Sequence, residues 1–428
     1  MKMSTPKWGS TPNKEAKEAV CEGSTESSLE GQNSHDGHAV DPVFGNEDGD
    51  GIHYRSMEWW HCGVLMLAET ISLGVLSLPQ AVATLGLVPG LLLIFFLGII
   101  AYWTGFVVGE FKKAYPQIQS FADAGEMIAG PVGREIMAVS QILILIFIMA
   151  AHVLSFSIAM NVLTDHAICS VWFGVIGTIV SFIFGLPRTF KGVSWASIFS
   201  CISVIVAVTV AMIAIGISKP DMGHIVAVRP GVPVIKGLGP VMNIILAYAG
   251  HVAFFSFCAE LRNPNDFPKA LAFMQITACT FYMLIAAVIY YYAGRGVASP
   301  ALGSASPTVA KICFGIALPT IVIAGVVNGS VACKYLYVRL WKGTDVIHES
   351  GTKAIGSWLG ICGLAWVISW IIAEAIPSFN LLLGFISALF CSWFSCLWSS
   401  GTALASGAAG EAFSCKNNYS AKSAADLE

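Results

Sequence analysis

Long runs without a single charged residue constrain this chain more than any other feature. Four such runs contain no Asp, Glu, Lys or Arg: residues 84–109, 192–218, 270–294 and 375–410. A helix needs roughly 20 consecutive apolar residues to cross the hydrocarbon core of a bilayer, and every run is longer than that. Only 11% of the 428 residues are charged, whereas a soluble domain has about a quarter. The sequence therefore predicts an all-α integral membrane protein whose principal partner is the lipid bilayer.

Hydropathy divides this membrane domain, expected over residues 57–402, into ten spans. The spans are predicted at residues 58–86, 88–111, 135–163, 168–187, 192–217, 237–261, 268–293, 312–337, 354–376 and 379–402. Between the second and third spans, SFADAGEMIAG (120–130) begins with Ser120 and has Asp123 three residues later, which predicts a short surface helix. Lys and Arg number eleven in the loops on the side of the N-terminus and five on the other side. This asymmetry predicts a cytoplasmic N-terminus.

Both ends of the chain are polar. Residues 1–56 contain ten Asp or Glu against five Lys or Arg and have little apolar surface to bury, so we expect a disordered cytoplasmic tail. Residues 403–428 are small, polar and finally charged, and they are expected to form an atypical C-terminal tail.

Composition argues against several classes of function. The net charge of −3 gives no indication of a nucleic-acid partner. No cluster of His and acidic residues, nucleophile with a base, or phosphate-binding loop is evident, so neither an enzyme nor a cofactor is predicted. The twelve cysteines lack a CxxC pair and are interpreted as small buried apolar residues.

Two spans are interrupted at corresponding positions. Gly74 lies within AETISLGVLSLPQ (68–80) in the first span, and Gly250 lies within AYAGHVAFF (247–255) in the sixth. They are 250 − 74 = 176 residues apart, which is five spans. Paired interruptions in two halves indicate a transporter built from inverted repeats, here residues 57–217 and 237–402.

A break at mid-membrane has a chemical consequence. An intact helix satisfies its own backbone groups, whereas a broken one frees N–H groups that suit a carboxylate and C=O groups that suit an ammonium. An amino-acid zwitterion requires both. We expect Gly74 and Pro79 to permit the chain to unwind, with the freed backbone between them binding the carboxylate and Ser72 and Ser77 adding hydroxyls.

Ionisable residues near the breaks are candidates for ion coupling, because a charged group at the bilayer centre costs at least roughly 3 kcal/mol and is seldom without a role. Glu69 precedes Gly74 by five residues, and His251 follows Gly250 directly. Glu260 is a third candidate, with an interfacial ion pair beside Arg262 as the alternative. His152, in the third span, is interpreted as a core histidine.

Three segments of the chain resemble the amino acid/auxin permease family. They are SLGVLSLPQAVATLGLVPG (72–90), GLPRTFKGVSWASIFS (185–200) and AYAGHVAFFSFCAELRNPNDFPKAL (247–271). KICFGIALPTIVIAGVVNGSVACKYLYVRLW (311–341) is most similar to neutral amino acid permeases of filamentous fungi. The resemblance implies a LeuT-like core with broken helices one and six. It also implies uptake of neutral aliphatic and aromatic amino acids, driven by protons, with sodium as the open alternative.

Carried onto this chain, the resemblance implies a substrate site at Ser72, Leu73, Gly74, Ser77, Tyr248, Ala249 and Gly250. Phe254 would suit an apolar pocket, with core packing as the simpler interpretation. Family members have eleven spans, but no apolar run of about 20 residues follows Trp398, so the eleventh helix is expected to be missing. An amino-acid sensor on the same scaffold is the second functional hypothesis. The plasma membrane is the expected location, with the vacuolar or endosomal membrane as the alternative.

Overall fold

The computed structural model describes residues 57–118, 120–187, 193–222, 225–341 and 351–391. These residues are almost entirely helical, and the β-type pairing among them is a parallel bridge between Met57 and Leu261. The predictions for residues 1–56, for 403–428 and for a missing eleventh helix concern parts of the chain outside these ranges.

Ten helical elements follow one another along the described chain, each within or overlapping one of the ten predicted spans, and residues 392–402 of the last predicted span lie outside the described ranges. The first is broken into α1a (Trp59–Thr70) and α1b (Leu78–Leu85). The next four are α2 (Leu87–Ala114), α3 (Phe121–Thr164), α4 (Ser170–Phe184) and α5 (Val193–Ser218). The sixth is broken into α6a (Val234–Ala247) and α6b (Phe254–Glu260). The last four are α7 (Phe267–Ala293), α8 (Pro307–Leu340), α9 (Thr352–Ala375) and α10 (Phe379–Ile386).

Most of these elements meet the length and composition that a bilayer requires. Within the described ranges, seven are long and apolar enough to cross a membrane, and the bent pair α1a–α1b makes an eighth. The other two, α4 and α10, are shorter apolar helices, and α10 continues as a π-helical turn over Ser387–Cys391.

The surface helix predicted before the third span is present as the first part of α3. The Ser120 hydroxyl accepts from the Asp123 backbone N–H, and the Asp123 carboxylate accepts from the Ser120 N–H, which forms a capping box. Ala129 and Gly130 then leave the helical conformation, with Gly130 at φ 65°, and the membrane-spanning part of α3 follows. The positive φ at Gly130 explains why the chain turns at that residue.

The helices pack in two groups, and each half of the chain contributes to both in the same way. Helices α1, α2, α6 and α7 pack together, and we call this group the bundle. Helices α3, α4, α8 and α9 form a second group, the scaffold. The fifth helix of each half connects the two groups, since α5 contacts α7 and α8 while α10 contacts α6a and α3. The first and second halves therefore have equivalent arrangements, as inverted repeats require.

At the end of the bundle where the chain enters α1a, a short strap joins helices one and six. The Met57 N–H donates to the Glu260 carbonyl oxygen at 3.2 Å, and the Arg262 N–H donates to the Met57 carbonyl oxygen at 3.0 Å. Arg262 also pairs with Glu58 at 3.2 Å, rather than with Glu260. Both side chains of that ion pair are exposed, so the two backbone hydrogen bonds contribute more to the strap than the charges do.

Candidate functional site

The break in helix one lies slightly earlier than the sequence predicts. Helix α1a ends at Thr70, and Ile71 and Ser72 have non-helical backbone angles. A 3₁₀ turn over Leu73–Ser77 then leads into α1b. The interruption therefore precedes Gly74, and the expectation of unwound backbone between Gly74 and Pro79 is wrong. Pro79 lies in the first turn of α1b, where a missing N–H costs nothing.

The break in helix six lies where the sequence predicts. Helix α6a ends at Ala247, and Tyr248, Ala249 and Gly250 separate it from a 3₁₀ turn over His251–Ala253. The N–H groups of Tyr248 and Ala249 still donate to the last turn of α6a, at 3.1 and 3.0 Å. The helix therefore tightens at its end before the chain resumes as α6b.

The two breaks lie in direct contact. A Cβ atom added to Gly74 would lie 2.6 Å from the Cα of Ala247, and one added to Gly250 would lie 2.8 Å from the Thr70 hydroxyl oxygen. Each glycine therefore lies against the residue that ends the other half-helix. Gly74 matters here for close approach rather than for unwinding, which is why the break does not coincide with it.

The two serine hydroxyls at the first break differ in what they can offer a ligand. The Ser77 hydroxyl is buried and donates to the Gly74 carbonyl oxygen at 2.8 Å. The Ser72 hydroxyl is buried and has no hydrogen-bond partner among the described residues. A buried polar atom without a partner is costly, and its place at the break makes this hydroxyl a candidate ligand contact. Of the two, Ser72 is the hydroxyl available to a ligand.

The aromatic candidates at the second break have partners within the bundle. Tyr248 donates from its hydroxyl to the Ile94 carbonyl oxygen of α2 at 3.0 Å. Phe254 packs against His251, with ring centroids 4.8 Å apart, and against Phe267 of α7 at 6.0 Å. A Cβ on Gly105 of α2 would lie 2.8 Å from the Phe254 ring. Phe254 therefore fills the space between α6b, α2 and α7, in agreement with core packing.

Glu69 and His251 lie at different interfaces. Glu69, on α1a, is half-buried, and its carboxyl group interacts with the Asn328 side chain of α8 in the scaffold. The His251 ring nitrogen Nε2 lies 2.9 Å from the Thr104 hydroxyl and 3.1 Å from the Ala101 carbonyl oxygen, both on α2. Glu69 thus connects bundle to scaffold, whereas His251 is held within the bundle.

The third coupling candidate, Glu260, and the predicted core histidine, His152, have other surroundings. Glu260 is exposed at the end of α6b and interacts electrostatically with Lys334 of α8. His152 is buried in α3, with Nδ1 2.9 Å from the Ile321 carbonyl oxygen, as expected of a core histidine.

A polar cluster that the sequence analysis missed joins the bundle to α10 beyond the breaks. The Asn380 amide donates to the Gln80 side-chain oxygen of α1b at 2.9 Å. The Asn380 oxygen accepts from Ser299 at 2.5 Å and lies 3.5 Å from the Asn243 amide of α6a. Neutral polar residues near span ends are common, so none of these four side chains stands out in the sequence. The cluster is identified only because side chains from four separate segments meet in the structure.

Two interrupted helices in contact, within a bundle that packs on a scaffold of repeated topology, define the LeuT-like class of inverted-repeat transporters. The fold is similar to that of Mhp1, a nucleobase-cation-symport-1 family transporter solved in a closed conformation with bromovinylhydantoin bound. The TM-score is 0.54 at 15% sequence identity, covering 78% of this chain and 76% of that one.

The chain belongs to the transmembrane amino acid transporter family, whose profile matches residues 55–405. Among its relatives is the N amino acid transport system protein of Neurospora crassa, which is 36% identical over 351 residues, or 80% of this chain and 75% of the relative. Vacuolar amino acid transporter 4 of Saccharomyces cerevisiae is 24% identical over 245 residues, covering 55% of this chain and 34% of the yeast protein. The family predicted from the sequence motifs is confirmed.

Proposed function

We propose that this protein takes up neutral amino acids by proton symport through alternating access. Its family membership supports an amino acid as the substrate. The segments that form the two breaks, residues 70–77 and 247–250, contain no charged side chain. A site of that composition suits a zwitterion whose own side chain is uncharged, because a buried charge requires a partner of opposite sign.

The freed backbone and the Ser72 hydroxyl supply the polar contacts in this proposal. The Ser72 side chain does not accept a hydrogen bond from the N–H groups at the start of the 3₁₀ turn that follows it. Those N–H groups and the unpartnered Ser72 hydroxyl suit the substrate carboxylate. Carbonyl groups at the carboxyl ends of α1a and α6a suit the ammonium, because helix ends carry partial negative charge there.

The position of Glu69 is the observation that carries the proton-coupling part of the proposal. Alternating access requires the bundle to move relative to the scaffold around a central site. A coupling group must then experience different surroundings in the two states. Glu69 lies on a bundle helix with its carboxyl group against Asn328 of the scaffold, so that motion changes its partner. His251 keeps its α2 partners in both states if the bundle moves as one body.

Uptake by purified protein in proteoliposomes tests the proposal. We expect labelled L-leucine to accumulate above the level of stoichiometric binding when the external pH is lower than the internal pH, and sodium to be dispensable. Accumulation that requires a sodium gradient would contradict proton coupling. Binding of leucine without accumulation under either gradient would favour the amino-acid sensor on the same scaffold.

Glu69→Gln tests the assignment of the coupling group. The substitution preserves the size of the side chain and removes its ability to release a proton, so we expect leucine exchange to persist while accumulation driven by the pH gradient is lost. Glu374→Gln is the matched control, because Glu374 is a half-buried carboxylate that contacts Gly174 within the scaffold. Gradient-driven accumulation by the Glu69 variant at the wild-type level would show that Glu69 is structural.

The N-terminus is proposed to be cytoplasmic and the protein to reside in the plasma membrane. The loop distribution of Lys and Arg supports the orientation. Fluorescence microscopy of a tagged chain, combined with protease protection of an N-terminal epitope, tests both statements. Fluorescence confined to the vacuolar or endosomal membrane would contradict the proposed location.

A further inference from the structure

Tyr282 of α7, which no sequence pattern singles out, lies where the two broken helices meet. Its side chain is fully buried. Its hydroxyl oxygen lies 3.0 Å from the carbonyl oxygen of Thr70 and 2.8 Å from that of Ala247. Thr70 is the last residue of α1a, and Ala247 is the last residue of α6a. A single hydroxyl donor is therefore placed between the carboxyl ends of both half-helices.

The chemistry of helix ends explains why a donor is needed at this point. The last carbonyl groups of a helix have no N–H four residues further on, and they carry the negative end of the helix dipole. Two such ends brought together in a buried region repel each other. The Thr70 carbonyl oxygen accepts from the Ser72 N–H at 3.1 Å, and the Tyr282 hydroxyl adds a side-chain donor at this point. The Tyr282 hydroxyl has one hydrogen and lies within hydrogen-bond distance of both carbonyl oxygens, so this donor is shared between the two ends.

The same contact fixes the breaks in relation to each other and to the rest of the bundle. It holds the α1a and α6a ends at the separation at which Gly74 meets Ala247 and Gly250 meets the Thr70 side chain. The Tyr282 ring also packs on Tyr248, with centroids 5.3 Å apart, and Tyr248 in turn donates to α2. Helices α7, α1, α6 and α2 are thereby connected through one pair of tyrosines.

We propose that Tyr282 is a positioning residue that sets the relative placement of the two helix breaks. Ser72 and the freed backbone groups then meet the substrate at the correct separation, although Tyr282 itself is not required to touch it. The effect on transport rests on the proposed amino-acid uptake, whereas the effect on the breaks themselves does not.

Tyr282→Phe removes only the hydroxyl, and Tyr290→Phe is the matched control. Tyr290 is fully buried eight residues further along α7, and its hydroxyl accepts from the Val226 N–H at 3.0 Å, outside the breaks. In proteoliposomes we expect Tyr282→Phe to raise the KM for L-leucine about tenfold, the effect of one lost buried hydrogen bond. The maximal rate per folded protein of Tyr282→Phe should change by less than about twofold, because a general loss of folding would lower the rate rather than raise KM. Tyr290→Phe should leave KM unchanged.

Hydrogen–deuterium exchange of the purified proteins gives a readout that does not depend on transport. Amides in residues 70–77 and 247–253 should exchange faster together in Tyr282→Phe and at the wild-type rate in Tyr290→Phe. Unchanged exchange in either segment, or an unchanged KM, would overturn the proposal. If the wild-type protein accumulates no leucine, the proposed function fails, and the exchange measurement alone decides the role of Tyr282.

Discussion

Gly74 and Ala247 bring two helices from opposite halves of the chain into backbone contact at their breaks. A Cβ atom on Gly74 would lie 2.6 Å from the Ala247 Cα, a separation that no side chain can occupy. The contact explains why the substrate-site residues predicted from two distant motifs meet in space. It also makes the pairing of the breaks sensitive to a single added methyl group.

Gly74→Ala should therefore lower both stability and transport. We expect a loss of about 1–3 kcal/mol in the free energy of unfolding, because backbone must shift to admit the methyl group. Thermal unfolding of the purified protein and leucine uptake measure the two effects. Gly356→Ala is the control, since Gly356 lies in α9 with no atom within 4 Å of its added Cβ. A Gly74 variant as stable and active as that control would contradict the close approach.

Ser72→Ala and Ser77→Ala should separate binding from stability. Ser72 has a buried hydroxyl without a partner, so its removal should weaken leucine binding while leaving thermal stability unchanged or slightly higher. Ser77 donates to the Gly74 carbonyl oxygen, so its removal should cost about 1 kcal/mol of stability. Titration of leucine against thermal stability measures both quantities. The opposite pattern would exclude Ser72 from the site.

His251→Gln should reduce the rate of uptake but preserve its dependence on the pH gradient. The His251 ring contacts Thr104 and the Ala101 carbonyl oxygen within the bundle, so these two contacts do not change when the bundle moves against the scaffold. Gln can still donate to one of them. Uptake measured across a series of imposed pH gradients tests this, and loss of gradient dependence in this variant would transfer the coupling role from Glu69 to His251.

Cross-linking should distinguish motion within the bundle from motion of the bundle. A disulfide between cysteines replacing Met57 and Leu261 closes the strap, which already joins α1a to the exit of α6b. If helices one and six move together, uptake should survive this cross-link. A reducible bifunctional thiol reagent that links cysteines replacing Glu260 and Lys334, whose charges interact, joins α6b to α8 and should abolish uptake until it is reduced.

The unsubstituted protein, oxidised in parallel, controls for its own cysteines in these experiments. Loss of uptake with the strap closed would show instead that α1a swings independently of helix six.

Hydropathy alone predicted most of the architecture, because the bilayer requires long uncharged helices that satisfy their own backbone. The order of the apolar helices, the helix capped by Ser120 and the interruptions in helices one and six were all readable from local sequence. The motifs around Gly74 and Gly250 also indicated the correct family. These features depend on residues close together in the chain, so no tertiary information was needed to find them.

Tertiary structure decided which of the candidate residues meet. Three features depend on how helices far apart in sequence pack together. They are the interaction of Glu69 with Asn328, the lack of a partner for the Ser72 hydroxyl, and the position of Tyr282 between Thr70 and Ala247. The position of the first break was also decided by packing, since Gly74 serves the approach to Ala247 while the chain unwinds at Ile71 and Ser72. A local pattern can show that a helix must break, but only the neighbouring helices determine what each freed group faces.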